Sequence, residues 1–209
     1  MASTERRTQA ARREGTRTAL LEATIASLVE LGYTRTTTTE VVRRAGLSQG
    51  ALFKHFPTKG DLVAAATTRL FDDLIEDFDR AFAAAAAEED DVAVVAIRRL
   101  WRVFCAPELL AVYRLYVEAP FDDELMAALV PVVKRHEQRV TERALALFPE
   151  IGASPEALVL FTSMLFAMQG MALARPVNPN AAKERLVLAQ FETLARQLFP
   201  NKPKVGARA

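Results

Sequence analysis

Residues 46–62 read GLSQGALFKHFPTKGDL and concentrate side chains suited to hydrogen bonding with a polyanion. The amide of Gln49 can pair bidentately with adenine, and Gly50, lacking a Cβ, permits close backbone approach. Lys54 and His55 can meet phosphates or bases, and Phe53 can contact a thymine methyl or a sugar. Lys59 opens the following helix, where its charge adds to free backbone amides that can hold a phosphate.

Other residue groupings do not reach a comparable chemistry. HEQRV at 136–140 begins like the HExxH zinc motif, but Val140 stands where the second histidine is required. With two histidines and one cysteine in the chain, neither a metal cluster nor a catalytic triad is expected. The adjacent pairs Asp72/Asp73 and Asp122/Asp123 point in different directions on a helix, as solvated or capping charges do. The expectation is therefore a protein that is not an enzyme and needs no cofactor. Cys105, being alone, excludes an internal disulfide and suits a small core position.

The elements that must position the 46–62 cluster are helices. No stretch alternates as a strand would, whereas helical periodicity is nearly continuous, so the class is all-α with about nine helices. Apolar residues recur at Leu20, Thr24/Ile25, Leu28 and Leu31, giving a helix from Thr16 that stops at Gly32. Thr37 and Glu40 have capping-box spacing and start a second helix through Ala45. Gly46 ends it, and Ser48 caps a short third helix whose inward residues are Leu52 and Phe56. Two short helices across a glycine-containing turn form a helix-turn-helix, with Val41, Ala45 and Leu47 completing the inner face. In that motif the second helix lies in the DNA major groove, about 12 Å wide, which explains its brevity. The competing reading is a solvated helical hairpin.

A long fourth helix follows with the stripe Leu62, Ala66, Leu70, Leu74, Phe78 and Phe82, ending near EEDD at 88–91. Further helices are expected to Cys105, from Pro107 to before Pro120, over 122–148 with a kink at Pro131, and over roughly 155–174 and 180–199. Residues 1–15 read as a flexible basic arm, 16–60 as the DNA-binding domain, 61–200 as a second helical domain and 201–209 as a disordered tail.

Charge supports this division. Residues 1–60 hold ten basic and five acidic side chains, a balance of +5, and the whole chain is +1, leaving −4 for the rest. A basic head on an acidic body fits a polyanion partner for the head alone. The N-terminus has no apolar core of a signal peptide, and the apolar window 158–174, interrupted by Gln169, reads as a helix buried on most sides. A cytoplasmic protein without a membrane partner is expected.

The run LLEATIASLVELGYTRTTTTEVVRRAGLSQGALFKHFPTKGDL, from Leu21 to Leu62, resembles the DNA-binding domain of the TetR (tetracycline-repressor) family. The resemblance rests on LGY after the first helix, the threonine cap, AGLS at the turn, G-x-L-F-x-H-F across the third helix and K-x-x-L at the start of the fourth. It covers about a fifth of the chain with dense spacing. It implies a homodimeric regulator, most often a repressor, that binds a palindromic double-stranded DNA operator and is released by a small effector. By matching position, Thr37, Thr38 and Thr39 fall at the start of the second helix, Gln49, Gly50, Phe53 and Lys54 on the reading helix, and His55 and Lys59 at backbone contacts; Ser48, the cap of the reading helix, is counted with the DNA-binding residues. Two departures stand out. Phe53 occupies a position where tyrosine is common and cannot donate its hydrogen bond. Thr38 occupies one that is commonly apolar.

The resemblance also implies an effector pocket among the later helices. Its candidates here are Phe78, Trp101, Phe104, Cys105, Tyr113, Tyr116, His136, Met164 and Met168, each of which also suits ordinary core. The last two helices carry apolar stripes on more than one side. Leu158, Phe161 and Leu165, with Leu186, Gln190 and Leu194, are the candidates for a two-fold four-helix interface. A DNA-binding regulator without a small-molecule effector is the alternative.

Overall fold

The computed structural model describes residues 2–87 and 91–198; the expected tail at 201–209, most of EEDD and the side chain of Phe82 lie outside the described residues. Among the described residues there are nine α-helices and no strand. They are α1 (Ala2–Leu31), α2 (Thr38–Ala45), α3 (Gln49–His55), α4 (Lys59–Ala87) and α5 (Val92–Phe104), then α6 (Pro107–Glu118), α7 (Asp123–Leu147), α8 (Pro155–Ala174) and α9 (Ala181–Leu198). Short 3-10 turns at Ala119–Phe121 and Pro149–Gly152 had no counterpart in the sequence reading.

The start of α1 corrects the expected helix from Thr16. The arginine-rich segment continues the same helix back to Ala2. Ala, Arg, Gln and Glu are strong helix formers and no proline interrupts them, so propensity carries the helix past Gly15. Residues Gln9 to Gly15 are exposed, and the first fully buried side chains are Leu20 and Leu21.

The chain divides into two compact units. The first joins the described residues up to Phe71 with Ala111–Lys134; the second joins Asp72–Leu110 with those from Arg135 onward. In the first unit, Leu20, Leu21, Val41, Val42, Leu52, Phe56, Leu62 and Ala66 form one core cluster. A second cluster gathers Leu28, Val63, Ala111, Leu115, Ala119, Leu125 and Leu129. Burying such side chains is worth about 1.5–3 kcal/mol each for the larger aliphatics, which is what holds α2 and α3 at one angle. Buried hydroxyls are satisfied locally: Thr24 Oγ1 donates to the Leu20 carbonyl at 2.7 Å, and Thr36 Oγ1 to that of Gly32 at 2.8 Å.

In the second unit, α5 packs on α8 and α9, and ion pairs join Arg98 to Glu192 and Arg196 to Asp91. The sequence reading of α8 is corrected here. Of its 20 residues only Ala157, Met168 and Ala172 are buried, although the helix is apolar enough and long enough to cross a bilayer. Phe166 is 65% and Leu186 of α9 is 73% exposed. Composition marks a helix as apolar all round; only the packing shows which sides find partners within the chain.

Candidate nucleic-acid interface

Local chemistry builds the helix-turn-helix from both ends. Thr37, in extended backbone, accepts from the Glu40 amide at 3.1 Å and so starts α2. Gly46 sits at φ 66°, left-handed backbone that glycine adopts without strain. The Leu47 amide returns to the Val42 carbonyl at 3.0 Å and the Gly46 amide to that of Arg43 at 3.4 Å, the Schellman closure. Two residues later Ser48 accepts from the Ala51 amide at 3.2 Å and begins α3. Only half of the expected capping box at 37–40 forms. The Glu40 side chain does not turn back to the cap but forks to Arg43 and Arg44 at 2.6–2.8 Å. These bonds hold its carboxyl down at about 2.

On α3, Leu52 and Phe56 are buried while Gly50, Phe53 and Lys54 are exposed, with Gln49 and His55 partly so. Phe53 is 49% exposed, a large apolar ring left in water beside a lysine. A Cβ built on Gly50 would meet nothing nearer than Ser48 Oγ at 4.0 Å, so no packing within the chain requires glycine there. On α2, Thr37 and Thr39 are exposed and Thr38 is partly buried. Thr39 Oγ1 receives a hydrogen bond from Gln49 Nε2 at 3.1 Å, which ties the first turns of the two helices together. The sequence-derived set from Thr37 to His55 thus lies on one helix pair.

Lys59 stands apart from it. Its Nζ donates to the Tyr33 carbonyl at 3.0 Å and lies 3.7 Å from the centre of the Tyr33 ring. Burial pulls the ammonium below its ordinary value, opposed by the charges of Asp122, Glu124 and Glu118. The backbone amides of Gly60 and Asp61 at the start of α4 are also occupied. Thr58 and Asp61 exchange the two bonds of a complete capping box, Asp61 N to Thr58 Oγ1 at 3.0 Å and Thr58 N to Asp61 Oδ2 at 3.2 Å. The Gly60 amide donates to Glu124 Oε1 at 2.7 Å. Tyr33 Oη in turn donates to Asp122 Oδ2 at 2.6 Å, and Asp122 caps α7 by accepting from the Leu125 amide at 2.9 Å. The sequence reading missed Tyr33, Asp122 and Glu124 in this cluster, since their partners are far along the chain. It could have found Thr58 and Asp61, which repeat the spacing recognised at 37–40.

The basic balance of the head is also redistributed. Arg44 bonds Glu40 and Glu30, and Arg43 bonds Glu40, so these two cations are neutralised where they stand. Among the described residues, Arg12, Arg13 and Lys54 form no ion pair, and all three are exposed. Arg17 lies over the Phe56 ring at 5.8 Å, placing a turn of α1 beside the end of α3.

The effector candidates do not share one unit. Tyr113 and Tyr116 belong to the first, edge to face with ring centres 5.7 Å apart. Phe78, Trp101, Phe104, Cys105, His136, Met164 and Met168 belong to the second. There, burial pushes the Cys105 thiol up, and burial beside Arg139 pushes His136 down to about 4. Among the described residues no cluster of histidine, cysteine and carboxylates could hold a metal ion.

Comparison with known proteins bears on the same segment. Residues 20–66 match the family described as bacterial regulatory proteins, tetR family. The chain is 35% identical over 181 residues, 85% of its length and 91% of the relative's, to an uncharacterized HTH-type transcriptional regulator of Mycobacterium tuberculosis. Two solved structures share the fold. One, from Mesorhizobium loti and described as a TetR-family transcriptional regulator, has TM-score 0.62 and 16% identity, covering 90% of this chain and 97% of that one. The other is the multidrug binding protein EbrR complexed with imidazole, with TM-score 0.62 and 20% identity, covering 88% and 95%.

Proposed function

Because the chain belongs to the TetR family of bacterial transcriptional regulators, we propose that it is a homodimeric, cytoplasmic repressor of a palindromic operator, released by a small, largely apolar effector. The observation that carries the DNA reading is the outer face of α2–α3. Gly50, Phe53 and Lys54 face solvent, and Gln49 does so in part, on a helix whose other side is locked by Leu52 and Phe56. Polar and cationic groups on a seven-residue helix match the depth and donor pattern of the major groove. Thr37, Ser48 and His55 flank that face and meet the backbone, Thr39 lies beside it bonded to Gln49, and Thr38 serves chiefly in packing. Lys59 is given a structural role instead.

The homodimer is supported by the exposed apolar residues of α8 and α9. Leu158 and Leu186, which are exposed, with the partly buried Phe161, Leu165 and Leu194, supply the surface a two-fold four-helix interface needs, with Gln190 at its edge. Two heads then sit in successive major grooves, about 34–36 Å apart. The effector part follows the aromatic and methionine content of the chain beyond residue 61, and EbrR, a fold relative, is itself a multidrug binding protein. A ligand that binds better to a state with altered head spacing shifts the population away from DNA.

The test is selection from a random DNA library with the purified chain, followed by binding across salt concentrations. A palindromic site whose affinity falls steeply with salt is expected. Failure to enrich any site, or salt-independent binding, rejects the reading. A melting screen against apolar metabolites tests the effector separately.

A further inference from the structure

Gln49 opens α3, and its side chain is already engaged before any DNA is present. Nε2 donates to Thr39 Oγ1, ten residues earlier on α2, at 3.1 Å. Oε1 is buried and has no hydrogen-bond partner among the described residues. A buried amide oxygen without a donor costs free energy, and the Thr39 bond at the other end of the amide offsets part of that cost. The two ends of an amide are nearly isosteric, and exchanging them would let the Thr39 hydroxyl donate to Oε1 while Nε2 took the buried place. Either way, Thr39 holds one end and the other end lacks a partner.

We infer that Thr39 is a positioning residue for Gln49, so that the base preference of this interface belongs to the Thr39–Gln49 pair and not to Gln49 alone. The inference rests on the DNA-binding reading above. Its chemistry balances atom by atom. Nε2 has two hydrogens: one stays on Thr39 Oγ1, and the other is available to an adenine N7. Oε1 is buried and takes no part in the contact, so the base is read through the one remaining Nε2 hydrogen, whose direction the Thr39 bond sets. A side chain held at one end also loses less conformational freedom on reading a base than one that is free. Thr39 is exposed and on the first turn of α2, so removing its hydroxyl leaves the core of the head unchanged.

The experiment uses the full chain and the site enriched from a random library, with that site and its single-base variants in competition binding. Thr39→Val, Thr39→Ser, Gln49→Ala and the double variant Thr39→Val/Gln49→Ala are compared, each checked for an unchanged melting profile. Gln49→Ala is expected to lower discrimination at one base pair by roughly fivefold, as for loss of one net hydrogen bond. Thr39→Val should lower discrimination at that same base pair, Thr39→Ser should restore it, and Thr39→Val should add nothing in the Gln49→Ala background. If Thr39→Val weakens all sites equally while discrimination is kept, Thr39 is a backbone contact and the inference is overturned. It is overturned equally if Thr39→Val changes preference at a different base pair, or still acts when Gln49 is absent. Absence of any enriched site is a distinct result that removes the DNA-binding reading itself.

Discussion

The ammonium of Lys59 lies 3.7 Å from the centre of the Tyr33 ring and donates to the Tyr33 carbonyl at 3.0 Å. A lysine at the first turn of a helix is well placed for a phosphate by position, yet here it closes an internal contact. Tyr33 also donates to Asp122, whose carboxyl is held low by the Leu125 amide and then by Tyr33. Lys59 therefore sits among fixed partners within the first unit, between the end of α1 and the start of α7.

From this, Lys59→Met should behave as a stability variant. Losing the cation–π contact and the hydrogen bond is expected to cost about 1–2 kcal/mol in urea unfolding. The slope of log affinity for DNA against log salt should not change. Lys54→Met should do the reverse, leaving stability within about 0.5 kcal/mol and reducing the salt slope by about 0.9. Equal loss of salt slope in both variants would return Lys59 to the DNA face.

Gly50 separates folding from recognition. A Cβ there meets only Ser48 Oγ at 4.0 Å, and alanine favours a helix over glycine by up to about 1 kcal/mol. Gly50→Ala is expected to raise the melting temperature while weakening binding to the enriched site. A variant that is both more stable and equally tight would show that no backbone approach occurs at this residue.

His136 predicts a pH dependence with a definite sign. Burial, reinforced by Arg139 and opposed by Asp72, lowers its value from 6.5 to about 4, so between these limits the unfolded chain holds the proton and the folded chain does not. Stability contributed by the neutral ring is present above pH 6.5 and is lost as pH falls towards 4. His136→Gln should flatten this part of the urea-midpoint profile. Carboxylates such as Glu40, held down at about 2, lose their contribution at lower pH, below about 4.5.

The exposed faces of α8 and α9 can be tested by charge. Phe166 and Leu186 lie in water within one chain, so aspartate at either position should leave the helical content unchanged. If these faces pair two copies, light scattering should report a shift from dimer to monomer for each variant. Wild-type chains that are already monomeric at micromolar concentration would refute the dimer.

Much of the first unit was legible in the residues because its signals are local. Thr37, Ser48 and Gly46 act over three to five residues, and their hydrogen bonds appear where the spacing puts them. The inward set Val41, Leu52 and Phe56 follows from helical period alone. The helical start at Ala2 was misread because amphipathic period was taken as the sign of a helix, while a solvated helix needs only propensity.

Sequence alone thus determined an all-α chain with a capped helix-turn-helix and a polar outer face on α3. Tertiary structure decided which charges remain available to a partner. Lys59 meets Tyr33 across 26 residues, Glu124 meets Gly60 across 64, and Asp122 meets Tyr33 across 89. No short-range pattern encodes such pairs, since each depends on where folding brings distant helix ends together. The same reason governs α8, whose composition is largely apolar and whose exposed side only the packing of its neighbours could define.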